Sequence, residues 1–159
     1  MAITTSSCLR IHSDGKSVNV SEISGHYFGC VASPNVPFKS KECVRLNVKP
    51  LGSSSWESYV FSLSKKTGEQ KEPKSKSVNK LFNKSKSIVN FTTLDTQSNY
   101  MINFGCTDNI EEWWIEYYAK SLEFCSKYRY KLDEAIQKYD LTFIPLVDIN
   151  HDNCVSSKF

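Results

Sequence analysis

From Asn109 to Ile144 the chain contains neither glycine nor proline, and its apolar residues recur at helical spacing: Ile110, Trp113/Trp114, Tyr117, Phe124/Cys125, Tyr128, Leu132, Ala135/Ile136 and Tyr139. An uninterrupted stripe of this kind predicts a long amphipathic helix that lays one face on the rest of the chain. Asp108 with Glu111 three residues on is a D-x-x-E variant of the capping box, and acids at 111, 112 and 116 suit the positive end of a helix dipole. At 1.5 Å per residue such a helix would span roughly 45 Å, more than a small barrel covers, so a break near Ser126 or an overhang is expected. The apolar patch from Leu141 to Val147 should fold back onto the body.

Upstream of this stretch the pattern changes from period 3.6 to period 2. Val44, Leu46 and Val48 alternate with Arg45, Asn47 and Lys49, and Tyr59, Phe61 and Leu63 alternate with Ser58, Val60 and Ser62, as in half-buried strands. Gly52-Ser53-Ser54-Ser55 connects the two as a meander. An earlier strand is expected around Tyr27 to Val31, ending at Ser33-Pro34-Asn35-Val36-Pro37. Two later strands, 87–93 and 99–106, flank a turn at Asp95-Thr96-Gln97-Ser98. Residues 1–22 read as a polar lead-in, with a short edge strand available at Cys8-Leu9-Arg10-Ile11-His12.

Residues 65–86 hold eight lysines against Glu69 and Glu72, a net +6 in a chain of +3. With so few apolar residues this stretch reads as a mobile basic loop. At 159 residues and 40% hydrophobic the chain is long enough for one proper core. No apolar run approaches the ~18 residues of a membrane-spanning helix. The opening Met1-Ala2-Ile3-Thr4 has neither the basic start and apolar middle of a secretory signal nor the Met-Gly of a myristoylation site, so a cytoplasmic chain is expected.

The cysteines at 8, 30, 43, 106, 125 and 154 include no C-x-x-C pair, which removes the usual zinc spacing and favours reduced thiols. The alternative is three disulfides in a secreted protein, with which the sequons at Asn19, Asn83 and Asn90 would agree. Catalysis has little support. His12, His26 and His151 are isolated, and no G-x-S-x-G, P-loop or H-E-x-x-H is present. Asp148, Asn150, Asp152 and Asn153 lack the glycine and closing glutamate of a calcium loop. No cofactor or metal is expected. The lysine run lacks the interleaved aromatics and arginines of a single-strand reader, which argues against nucleic acid.

Strands and hairpins, a lysine-rich loop, then a last hairpin running into E-E-W on a helix together resemble the pleckstrin-homology (PH/PTB-like) superfamily. The segment that carries the resemblance runs from Val89 to Trp114, within residues 88–118. The resemblance implies a bent antiparallel β-barrel capped by a long C-terminal helix, mainly β, occupying residues 23–125, with 126–159 as a helical extension and tail. It assigns Trp113 to plugging the barrel. It implies a non-catalytic adaptor or targeting domain that binds a protein partner, with weak anionic-membrane contact through the basic loop. A phosphoinositide-binding membrane-targeting domain is the alternative. Candidate lipid or anion ligands are Lys39, Lys41, Arg45, Lys65, Lys66, Lys71, Lys74 and Lys76, with Asn47 where the family's final basic residue would stand. Aromatics beyond what the core needs, Trp114, Tyr118, Tyr128 and Tyr130, are the candidate partner-binding residues.

Overall fold

The structure is a computed structural model that describes residues 20–34, 36, 42–52, 55–63, 75–80, 89–107 and 113–154; for 55, 75–80, 89–95 and 107 it describes the backbone. The elements are α1 (Val20–Ile23), β1 (Gly25–Ala32), β2 (Val44–Pro50), β3 (Ser55–Ser62), β4 (Ser75–Lys80), β5 (Val89–Gln97), β6 (Tyr100–Thr107), β7 (Trp113–Ala119), α2 (Leu122–Lys127), α3 (Arg129–Lys138) and β8 (Val147–Asp148). The strands form one curled antiparallel sheet in the order β4-β3-β2-β1-β7-β6-β5, and β8 pairs β1 off this path.

The largest departure from expectation is at residues 113–119, which form a central strand and not the start of a helix. β7 pairs β6 along its whole length, from Cys106↔Trp113 to Tyr100↔Ala119, and pairs β1 on its other side. The physical reason lies in its burial. Six of its seven residues are buried, because one face lines the sheet's interior and the other is covered by helices. A strand buried on both faces shows an unbroken apolar run, and aromatic residues then fall by accident at helical spacing too. The Asp108–Glu111 cap, the Cys8–His12 strand and most of the 65–86 stretch lie outside the described residues. Within that stretch Ser75–Lys80 is a strand, paired with β3 from Val60↔Ser75 to Ser55↔Lys80. Leu94 to Gln97, expected partly as turn, belong to β5, which shifts register between Thr93 and Asp95 and turns at Ser98-Asn99.

The helical period that the sequence displays is real only after residue 121. Ser121 caps α2, its hydroxyl accepting from Phe124 N–H at 3.1 Å. α3 ends where Asp140 takes a left-handed conformation (φ 56°). Asp140 N–H then donates to Gln137 O and Leu141 N–H to Ile136 O, closing the last turn and directing Leu141 into the core. Leu132, Ala135, Leu141 and Ile144 pack against Tyr100, Ile102, Phe104, Ile115 and Tyr117 on the outer face of β6 and β7. Trp113 joins this outer layer, edge-on to Phe104 and Phe143 at 5.9 and 5.0 Å, so it does not plug the barrel.

Two disulfides tie the periphery to the sheet. Cys30–Cys125 joins β1 to α2, and Cys43–Cys154 joins the start of β2 to the C-terminal tail. Cys106 is also disulfide-bonded, so every described cysteine is oxidised and the expectation of reduced thiols is overturned.

Candidate functional site: the barrel interior

Alternation along each strand sends every second side chain to the concave face. β2 contributes Val44, Leu46 and Val48; β1 contributes Tyr27 and Ala32; β6 contributes Met101; β7 contributes Trp114 and Tyr118, and Trp56 enters from β3. α1 sets Val20 and Ile23 against the same cluster, and the Tyr27 hydroxyl donates to Ile23 O at 2.5 Å. This anchors α1 at the end where β1 begins. Burial holds the Tyr27 phenol protonated, well above its usual range.

The polar content of this face is small and specific. Glu116 is 3% exposed and sits between Trp114 and Tyr118 on one face of β7. Its Oε2 accepts from Trp114 Nε1 at 3.0 Å, and its Oε1 accepts from the Tyr118 hydroxyl. Burial first, then the neighbouring Glu116 charge and hydrogen bond, push the Tyr118 phenol well above its ordinary pKa, so it stays a donor. The Trp114 indole lies over Gly105, its cross-strand partner; a Cβ at 105 would collide with ring atoms Cε2, Cζ2 and Nε1. Glycine at 105 is therefore what lets the indole reach Glu116. On β3, the Trp56 indole N–H and the Ser62 hydroxyl are buried with no hydrogen-bond partner among the described residues.

Of the expected anion-binding residues, Lys39, Lys41, Lys65, Lys66, Lys71 and Lys74 lie outside the described residues, and Lys76 is on β4, opposite Tyr59. Arg45 is buried on the outer face of β2. Its guanidinium lies 4.2 Å from the Phe28 ring centroid and donates to His151 Nδ1 at 3.2 Å, while His151 Nε2 donates to Gly29 O at 2.6 Å. An arginine enclosed in this way clasps the C-terminal tail to β1 and β2. Of the expected partner-binding aromatics, Trp114 and Tyr118 are interior. Tyr128 stacks on Tyr100 at 5.1 Å and its hydroxyl accepts from Asn99 Nδ2, whereas Tyr130 is 52% exposed. Glu116 was read from sequence only as a complement to a helix dipole. Its signal was the period-2 set Trp114, Glu116, Tyr118.

The His151 clasp sets a pH dependence. Burial lowers its pKa most; Gly29 O raises it, Arg45 lowers it and Asp152 raises it, for a net value below the ordinary 6.5. The folded state therefore prefers neutral His151, and the unfolded chain binds the proton more readily. The stabilisation is complete above pH 6.5 and is lost as pH falls from there through the lowered folded value. Urea unfolding of the wild type should show stability falling between about pH 7.5 and 5, and His151→Gln should flatten that slope.

No protein-family model matches the chain, and no curated protein is significantly similar to it in sequence. Solved structures do match. Apocrustacyanin C2 aligns with a TM-score of 0.65 at 15% identity over 88% of this chain and 84% of its own. The siderocalin Ex-FABP aligns with 0.58 at 16% identity over 87% and 97%. A biogenic amine-binding protein aligns with 0.65 at 10% identity over 92% and 90%. These are lipocalin-like barrels, and with β7 a central strand they overturn the pleckstrin-homology resemblance. The adaptor and phosphoinositide-binding readings fall with it, as do the protein-partner and anionic-membrane expectations. At these identities the likeness is one of fold: a mainly β, curled antiparallel sheet with helices at its C-terminal end.

Proposed function

We propose that this chain is a non-catalytic carrier that takes a small organic molecule into the interior of its barrel. The observation that carries the reading is the chemistry of the concave face. Aliphatic and aromatic side chains make up most of it, with the Trp56 N–H and the Ser62 hydroxyl as buried polar groups that have no hydrogen-bond partner among the described residues. Small-molecule sites have this make-up, and eight-stranded barrels have interiors of the size that holds one small ligand. A buried N–H without a partner costs about 1–3 kcal/mol, a cost a ligand acceptor or a bound water removes. Two of the similar structures, named as a siderocalin and a biogenic amine-binding protein, support a binding role over a catalytic one.

The disulfides support an oxidising compartment over the expected cytoplasmic one. No described helix is long and apolar enough to cross a membrane. Titration with the neutral fluorophore N-phenyl-1-naphthylamine tests the reading. A saturable one-to-one enhancement, with energy transfer from tryptophan that weakens in Trp56→Phe, is the expected result. Absence of any enhancement contradicts it.

A further inference from the structure

We infer that the barrel interior is specific for a ligand with a neutral carbonyl oxygen on an apolar body, and that the Trp56 indole N–H is the donor that receives this oxygen. This deepens the carrier reading and rests on it. The inner wall is not uniform. Val44, Leu46 and Val48 of β2 stand opposite Ser62, Val60 and Ser58 of β3, and Pro50 stands opposite Trp56. On its other side β3 meets β4, with Asn79 opposite Trp56, Ser77 opposite Ser58 and Ser75 opposite Val60. The apolar lining of β1 and β2 therefore gives way, at β3 and β4, to a strip rich in hydroxyl and amide residues. Trp56, Ser58 and Ser62 of this strip are all buried.

The two unpartnered groups differ in what they ask of a ligand. The Ser62 hydroxyl can donate or accept, whereas the Trp56 N–H can only donate. From 56 to 62 along β3 is roughly 20 Å at about 3.3 Å per residue, so one small molecule engages one of them. Trp56 is the more demanding, and its surroundings are the more apolar. Val48 pairs with Gly25 at the start of β1 and with Ser58 on β3, which sets Trp56 at the end of the sheet where α1 packs, in one cluster with Val20, Ile23 and Tyr27. A ligand without an acceptor leaves the N–H unsatisfied, and one that presents only a donor meets a second donor. A carboxylate accepts, but a charge buried there needs a counter-charge that an indole does not supply. A ketone or amide carbonyl needs a donor and little else.

Displacement of N-phenyl-1-naphthylamine by three compounds of similar shape separates the possibilities: 2-acetylnaphthalene (a ketone), 2-isopropenylnaphthalene (the same outline with no acceptor) and 2-naphthoate (an anionic acceptor). The ketone should bind at least about fivefold more tightly than the alkene, and 2-naphthoate should not bind more tightly than the ketone. In Trp56→Phe the advantage of the ketone over the alkene should disappear while the alkene still binds. If that variant does not fold, the indole proton signal of Trp56 in the wild type decides: the ketone should move it to lower field and the alkene should not. Equal or tighter binding of the alkene, or tightest binding of 2-naphthoate, overturns the inference and leaves the carrier reading intact. So does a ketone preference that survives in Trp56→Phe. Failure of N-phenyl-1-naphthylamine and all three compounds to bind removes both.

Discussion

Opening the disulfides should lower the thermal unfolding midpoint by roughly 5–15 °C for each bond removed, the largest effect expected of any single covalent change in this chain. Cys30–Cys125 spans 95 residues of sequence and Cys43–Cys154 spans 111. Cross-links that close loops of this length restrict the unfolded ensemble strongly, and loss of a native bridge typically costs about 2–5 kcal/mol. The two bonds should fail differently. Without Cys43–Cys154 the tail still keeps the Glu42↔Asn150 bridge, the hydrogen bonds from Cys43 N–H to Asn150 O and from Ile149 N–H to Cys30 O, the short β8 pairing, the Arg129–Asp148 ion pair and the Arg45–His151 clasp. Without Cys30–Cys125, α2 loses its direct anchor to β1. Near-ultraviolet circular dichroism of Cys→Ser pairs across a thermal ramp measures both, and unchanged midpoints would show that neither bond constrains the fold.

Leu132→Ala should destabilise the protein by about 2–5 kcal/mol in urea unfolding, because the side chain is fully enclosed between α3 and the outer face of the sheet. Tyr130 stands two residues earlier on the same helix and is half exposed, so Tyr130→Ala should change stability by less than about 0.5 kcal/mol. The contrast assigns α3 its task, which is to cover the outer face of β6 and β7. If Leu132→Ala were as mild as Tyr130→Ala, the helix would be an ornament on a self-sufficient barrel.

Sequence pattern exposed some of this architecture and concealed the rest for identifiable reasons. β2 was legible because its inner face is apolar while Asn47 and Lys49 alternate with it toward the outside. β7 was not, because helices cover its outer face and erase the alternation. β4 hid among lysines, yet lysine is well tolerated on a strand whose described pairing is on one side, since it discourages pairing with another chain. The cysteines gave no pairing, because Cys30 and Cys125 meet only through the packing of α2 on β1. Arg45 looked like an anion ligand when only its charge was visible; the Phe28 ring and His151 that enclose it come from 17 residues upstream and 106 downstream. The interior site was missed in the same way, since Glu116 gains its meaning from the facing of β7 and not from any motif.

The most direct measurement is an amide and indole correlation spectrum of protein labelled with 15N-tryptophan, recorded while 2-acetylnaphthalene or N-phenyl-1-naphthylamine is added. The indole N–H signals of Trp56 and Trp114, assigned by Trp→Phe variants, should move together and saturate, while that of Trp113, on the outer face, should move least. Movement of the Trp113 signal alone, with Trp56 and Trp114 unaffected by either compound, would place binding on the outside of the barrel and contradict the account.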